Sequence, residues 1–332
     1  MRYTNAIRSD VSSLTKNAKI SFEQLEGSRI LLAGGTGFVG NWLLAALALA
    51  SKRHNIQLTL LVRNSIKAKA IVDQFDTALV SFTSANEINP KGDYTHFIHA
   101  ATPSTKSTGG KESKSIYNSA SSVETHIFGL LRPEITPVYM HLSSGAVYGT
   151  KPSIRIAFSE NDPVIDSASD TYTKTKLILE KNVVNATLSG AIFGTNPRLF
   201  SFAGPGIALD DHFAVGNFIA QAIKGGPVSL NGNPCTMRTY LHPVDMTHWL
   251  LAALANPSLE TTHIGSEIGY TMEEIARIVA SEFGVKADVR GDSSIPPNFY
   301  LPSTTQTKKR LNVGETIALS EAISRWRRWL ES

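Results

Sequence analysis

Only one cysteine, Cys235, occurs in the 332 residues, so the chain cannot close an intramolecular disulfide. That favours a reducing compartment. Long hydrophobic runs are also missing. The longest, Trp42 to Ala50, is far too short to span a bilayer, and the polar stretch Met1 to Lys19 lacks the apolar core of a signal peptide. A cytoplasmic protein with no membrane partner is expected. Neither sign of charge dominates: 32 basic against 28 acidic residues leave a net charge of +4. The basic residues are scattered, whereas a nucleic-acid binder concentrates them on one face, so no nucleic-acid partner is expected. Two short clusters are exceptions, Lys308-Lys309-Arg310 and Arg325-Trp326-Arg327-Arg328-Trp329. The second reads as the solvated face of a last helix whose Ile323, Trp326 and Leu330 fall at core spacing. There is no HExxH pattern and no cysteine cluster, so no metal is expected. His99, His141 and His242 read as packed or hydrogen-bonded residues. Repeats, low-complexity tracts and a flexible interdomain linker are absent as well.

What is present is an alternation of apolar strands and helices. With 42% hydrophobic residues and this length, the chain suits two domains, or one large α/β domain with an appended lobe. Arg29 to Ala33 reads as a buried first strand, followed by a helix over Phe38 to Ser51. Further strands are expected at 57–62, 78–82, 95–100 and 137–142, with helices at 66–75, 113–131 and 170–184. Ser169 or Asp170 is placed to cap the last of these. Gly190 to Phe193 and Arg198 to Phe200 flank a sixth strand region. Such βαβ units imply right-handed crossovers and a Rossmann-like, doubly wound parallel sheet. Beyond Phe200 glycines and prolines become frequent, and helices near 212–224, 243–255, 271–283 and 315–331 punctuate a smaller mixed α/β lobe. The expected division is an N-terminal extension over 1–26, a dinucleotide-binding domain over 27–200 and a substrate lobe over 201–332, with one return strand to the main sheet allowed.

Two local patterns carry chemistry. Gly34-x-x-Gly37-x-x-Gly40 follows a strand and opens a helix. Glycines there permit a tight turn and close backbone approach to a pyrophosphate, whose charge the helix N-terminus favours. Tyr172 and Lys176 are four residues apart on one helix, so a phenol and an ammonium share a face. A cation beside a phenol lowers its pKa. A hydroxyl at Ser144, a tunable phenol and a dinucleotide together point to hydride transfer at a carbinol or carbonyl carbon.

The glycine turn, the Tyr172-x-x-x-Lys176 pair, Ser143-Ser144-Gly145-Ala146-Val147-Tyr148-Gly149, Arg198-Leu199-Phe200-Ser201-Phe202-Ala203-Gly204-Pro205-Gly206 and Arg238-Thr239-Tyr240-Leu241-His242-Pro243-Val244-Asp245 resemble the extended short-chain dehydrogenase/reductase family. That family includes nucleotide-sugar epimerases, dehydratases and 4-ketoreductases. The resemblance runs from about Gly27 to the C-terminus with its motifs in order. It implies that Tyr172 is the general acid/base, that Lys176 holds the nicotinamide ribose, and that Ser144, rather than Ser143, donates a hydrogen bond to the reacting oxygen. It places Gly34, Thr36, Gly37, Phe38, Val39 and Gly40 against the cofactor, together with Ala100, Ala101, Thr102, Leu199 and Phe200. Arg63 directly follows the second strand, where NAD-preferring members carry a carboxylate; an arginine there pairs with a 2′-phosphate, and Asn64 adds a hydrogen bond. NADP(H) is therefore favoured and NAD stays open. Arg238 matches the arginine that binds the substrate diphosphate, with Asn217, Tyr240, Ser143 and Ser201 as further substrate contacts. Ser201 stands where many relatives have Asn. The usual Asn of the helix after the fourth strand is also absent, with Ser121 or Ser122 near its place. A homodimer remains open.

The reactions of the family differ in the residues that follow the serine. Its 4,6-dehydratases place Asp-Glu there, because eliminating water needs an acid and a base. Its nucleotide-sugar decarboxylases keep the second Glu. This chain has Gly145-Ala146. What remains needs one hydride and one proton: a 4-keto-6-deoxy sugar-nucleotide reductase, favoured by Arg63, or a 4-epimerase that retains NAD. A relative that has lost catalysis and only senses cofactor or binds a partner is the third class, opposed by the intact Ser144, Tyr172 and Lys176.

Overall fold

The computed structural model describes residues 9–14, 18–75, 78–84, 86–88, 92–102, 113–149, 151–152, 157–165, 170–209 and 213–332. They form two compact units interleaved along the chain. The first comprises Met1–Val147, Asp166–Arg198 and Thr247–Thr262; the second comprises Tyr148–Ile165, Leu199–Met246 and His263–Ser332. The chain thus crosses between units five times, and a single boundary at residue 200 describes only one of those passages.

In the first unit the helix α1 (Lys19–Gln24) leads into β1 (Arg29–Ala33), α2 (Phe38–His54), β2 (Gln57–Leu61), α3 (Ser65–Val72), β3 (Val80–Thr83), β4 (His96–His99), α4 (Ser113–Phe128), β5 (Val138–His141), α5 (Thr171–Leu188) and β6 (Phe193–Thr195). The six strands make one sheet in the order β3-β2-β1-β4-β5-β6, every pair parallel. A central parallel strand is covered on both faces, which is why β1 is a continuous apolar run rather than an alternating one. Strand order reverses between β1 and β4, so a crevice opens at their carboxyl ends, the usual ligand position in such sheets. Leu31, Phe97 and Tyr139 from neighbouring strands pack with Ile127 of α4 and Val183 of α5 in one core cluster.

The N-terminal extension belongs to this core. Val11, Leu14, Ala18, Phe22 and Leu25 are buried, and the Phe22 ring stacks on His54 at the end of α2 at 5.8 Å.

The second unit holds a four-stranded mixed sheet. Its segments Gly269–Thr271, Met237–Thr239, Asn298–Tyr300 and Lys151–Pro152 lie side by side in that order. The helix Met272–Phe283 is closed by a capping box between Thr271 and Glu274 and ends on a left-handed Gly284. A helix at Thr305–Leu311, absent from the sequence expectation, precedes the last helix, Leu319–Glu331. On that last helix Ile323 and Trp326 are fully buried, while Leu330 is only half-buried.

Candidate active site

The glycine turn has the form a dinucleotide requires. Gly34 has φ of +88°, and a Cβ on it would sit 2.6 Å from the Ala100 carbonyl carbon. A Cβ on Gly40 would sit 2.1 Å from the Gly34 carbonyl oxygen. Both glycines are therefore fixed by the backbone's own close approach. Gly37 differs: a Cβ there meets only the Gly34 oxygen, at 3.4 Å, and the residue is exposed as the extended cap of α2. Its bare face and the free N–H groups of the first turn form a cradle for an anion. Thr36, Phe38 and Val39 flank it, each half-buried. Ala100, Ala101 and Thr102 continue β4 past its end, beside Gly34. Arg63 and Asn64 follow β2 at the same end of the sheet, both exposed, and the Asn64 carbonyl accepts the Ala68 N–H at the start of α3. These features fit a bound dinucleotide.

The first unit also gathers the three candidate catalytic side chains. Asp170 caps α5, its Oδ1 accepting the Thr173 N–H at 2.8 Å, and so fixes where the helix starts. Tyr172 and Lys176 then fall one turn apart, with the Lys176 Nζ 5.6 Å from the Tyr172 ring centroid. The Lys176 ammonium donates to Thr102 Oγ1 at 2.9 Å and to the Leu142 carbonyl. Ser144 hydrogen-bonds Tyr172, and its Oγ accepts the Ala146 N–H at 3.2 Å. The adjacent Ser143 Oγ is buried without a hydrogen-bond partner.

Electrostatics here departs from the sequence expectation. The Tyr172 phenol is pushed above its ordinary value of 10, chiefly by burial, with the Ser144 hydrogen bond opposing and the Asp170 charge adding to the rise. Lys176 does not pull it down, because burial lowers Lys176 itself to about 7. Beneath them lies a polar layer that the sequence pattern did not single out. His99 and His141 are register partners on β4 and β5, with ring centroids 5.3 Å apart. Both are fully buried and held neutral, His99 at about 3. Neither nitrogen of His141 has a hydrogen-bond partner. Glu180, four residues after Lys176, is gripped by Arg198 through both carboxylate oxygens, at 3.0 and 2.8 Å. The Lys176-x-x-x-Glu180 spacing was the available signal for Glu180; Arg198 is brought to it only by the fold.

The substrate candidates are in the second unit. Asn217 is exposed on the helix Ala214–Ile223 and lines a cleft of about 920 Å³, with Gln221, Lys224, Asn231 and Asn298. Arg238 stands beside it, its Nη1 donating to the carbonyls of Met237 at 2.8 Å and Asn298 at 3.3 Å. Tyr240 is buried, its phenol pushed up to about 12 by burial while Arg238 opposes the rise. Ser201 accepts the Leu241 N–H through its carbonyl, at 3.1 Å. Leu199 ends a short strand, and the Phe200 ring packs between His263 and Tyr300. Asn217, Arg238 and Tyr240 thus share one region of this unit, while Phe200 is built into an aromatic cluster. Among the described residues no group of three or more His, Cys, Asp or Glu side chains could hold a metal, and no helix is long and apolar enough to cross a membrane.

The doubly wound sheet, with its glycine turn and the Tyr172-x-x-x-Lys176 helix, defines an extended short-chain dehydrogenase/reductase. Within that class the chain belongs to the NAD dependent epimerase/dehydratase family, which it matches over residues 30–265. UDP-glucuronic acid decarboxylase 1 of Arabidopsis thaliana is 23% identical over 219 residues, which are 63% of this chain and 50% of that protein. This chain thus matches about half the length of that relative. UDP-glucuronic acid decarboxylase 1 of Xenopus tropicalis is 19% identical over 90% of this chain and 70% of its own length. Among solved structures, UDP-glucuronic acid 4-epimerase from Bacillus cereus, in complex with UDP-glucuronic acid and NAD, superposes with a TM-score of 0.76 at 20% identity, covering 91% of this chain and 99% of that one. The dTDP-glucose 4,6-dehydratase of Streptomyces venezuelae, with NAD and TYD bound, gives 0.72 at 17% identity, covering 91% and 97%.

Proposed function

We propose that this protein is an NAD(P)-dependent oxidoreductase acting at C4 of a nucleoside-diphosphate sugar, and that it reduces a 4-keto-6-deoxy sugar nucleotide. The observation that carries this reading is the grouping of Ser144, Tyr172 and Lys176, with no carboxylate in the two residues after Ser144. Decarboxylases and a dehydratase are among the similar proteins, but Gly145 and Ala146 offer neither the acid nor the base that the resemblance requires for those reactions.

A bound nicotinamide cofactor supplies or accepts the hydride. The chain's residues do the rest. The glycine turn and the N-terminus of α2 receive the pyrophosphate, and Lys176 binds the nicotinamide ribose. Ser144 and Tyr172 hydrogen-bond the sugar oxygen, and Tyr172 delivers its proton to it. Burial keeps Tyr172 a protonated phenol at neutral pH, the form that reduction of a ketone needs first. Arg238 pairs with the diphosphate. Arg63 favours NADPH, because its exposed guanidinium follows β2 where the 2′-phosphate lies in this fold.

The likeness to a 4-epimerase bound to NAD supports a second reading, in which retained NAD is reduced and reoxidised within one turnover. Mass spectrometry of the purified protein separates the two. The reductase reading expects an empty site and NADPH-dependent turnover of a 4-keto sugar nucleotide, whereas co-purified NAD with interconversion of C4 epimers replaces it by the epimerase.

A further inference from the structure

We propose that Glu180, fixed by Arg198, is a positioning residue that keeps Lys176 an ammonium in the apo-protein, and so preserves its third N–H. The significance of that N–H for the ribose rests on the proposed function above.

The inference begins with a count of donors. An ammonium has three N–H groups and a neutral amine two. Lys176 already gives one to Thr102 Oγ1 and one to the Leu142 carbonyl. A third exists only while the nitrogen is charged. The surroundings work against that charge. Lys176 is 4% exposed. His99 on β4 and His141 on β5 face it as neutral imidazoles, and either would repel it if protonated. Tyr172, on its own helix, is a neutral phenol with Asp170 acting on it from the cap. Glu124 on α4 is bonded to Asn182 and is itself pushed up to about 7 by burial. Glu180 is the group that opposes the burial of the Lys176 charge.

Glu180 can do so because its own charge is secured. It is 8% exposed, and Arg198 meets both of its oxygens in a fork geometry. Asn196 Nδ2 also donates to the Glu180 backbone carbonyl, at 3.3 Å. A lone carboxylate at this depth would take up a proton; one held by a guanidinium stays ionised.

The test compares Glu180→Gln with Glu180→Asp in the full chain. Gln keeps the shape and loses the charge; Asp keeps the charge and loses the shape. Lysine labelled with ¹³C at Cε reports the titration of Lys176, its resonance assigned by its loss in Lys176→Met. The Gln variant should lower the Lys176 midpoint by about 1 unit, and the Asp variant should stay near the parent. Glu180→Gln combined with Arg198→Gln removes the unpaired guanidinium and should show the same lowered midpoint, which covers the case in which the single variant does not fold. An unchanged midpoint in the Gln variants, or an equal fall in Asp, overturns the proposal. NADPH affinity measured against pH is read in parallel. Affinity that falls with the Lys176 midpoint supports the ribose contact, whereas a midpoint that moves while affinity does not leaves the charge role standing and removes the ribose contact from the proposed function.

Discussion

Lys176 has conflicting requirements that one number captures. Burial takes its pKa from 10.5 to about 7. Between those values the unfolded chain binds more protons than the folded one, so apo-protein stability rises with pH across that window. Below it the penalty of the buried charge is complete. Lys176→Met should therefore raise the apo melting temperature by a few degrees at pH 7, with the gain shrinking by pH 10, while weakening cofactor binding. Thermal melts at the two pH values check the sign. Tyr172 yields a second expectation at this scale. Tyr172→Phe keeps the ring and removes the proton carrier, so cofactor binding should persist while single-turnover reduction slows by about 10²–10⁴. A rate within a few-fold of the parent would assign the proton to another group. Arg63→Asp should weaken NADP about 10- to 100-fold and spare NAD in a binding titration, the size of one charge-assisted contact. Tyr172 and Lys176 were readable because helical spacing alone puts them on one face. The direction of the phenol's shift was not, because it depends on burial, and sequence spacing reports proximity without depth.

At the scale of elements, the same contrast decides which helices the sequence reveals. The helix α5 announces itself: Asp170 is a side-chain cap three residues before the amide it accepts. The helix Thr305–Leu311 does not. Its run Thr-Gln-Thr-Lys-Lys-Arg-Leu has no apolar period, and its cap is supplied from far away in the chain by the buried Glu160, which accepts the N–H groups of Gln306 at 3.1 Å and Thr307 at 2.8 Å, and the Thr307 hydroxyl. The packing of α4 on α5 carries a pH dependence of its own. Glu124 is pushed from 4.5 to about 7 by burial, with the Asn182 hydrogen bond opposing. In that interval the folded chain binds more protons, so stability falls as pH rises through it and stays low above 7. Glu124→Gln imitates the protonated acid and keeps a partner for Asn182. It should raise the melting temperature clearly at pH 8 and little at pH 5; equal gains at both would place the benefit in packing instead of charge.

For the whole molecule, the strand order, the glycine turn and the reach of the parallel sheet follow from apolar runs and their spacing, since each βαβ unit is local in sequence. The division into units does not, because it depends on where later segments return. Thr247–Thr262 belongs to the first unit although it lies far beyond the last strand of the main sheet. Its Trp249, Leu250, Leu251 and Leu254 are fully buried, and Asn256 exchanges hydrogen bonds with Gln24 of α1 at 3.2 Å. A fragment of residues 1–200 therefore lacks part of its own core. The loss of four large apolar side chains removes burial worth about 1.5–3 kcal/mol each, against a total stability of about 5–15 kcal/mol for a typical domain. Such a fragment should give no cooperative thermal transition and should bind an exposed-apolar-surface dye, while the full chain melts cooperatively. Extending it to residue 262 restores the missing segment but carries residues 199–246 without the rest of the second unit, so it should recover only part of the transition. A fragment of 1–200 that melts sharply would show that the glycine-turn half folds without its returning helix, and that the division read from the sequence describes the folding unit after all.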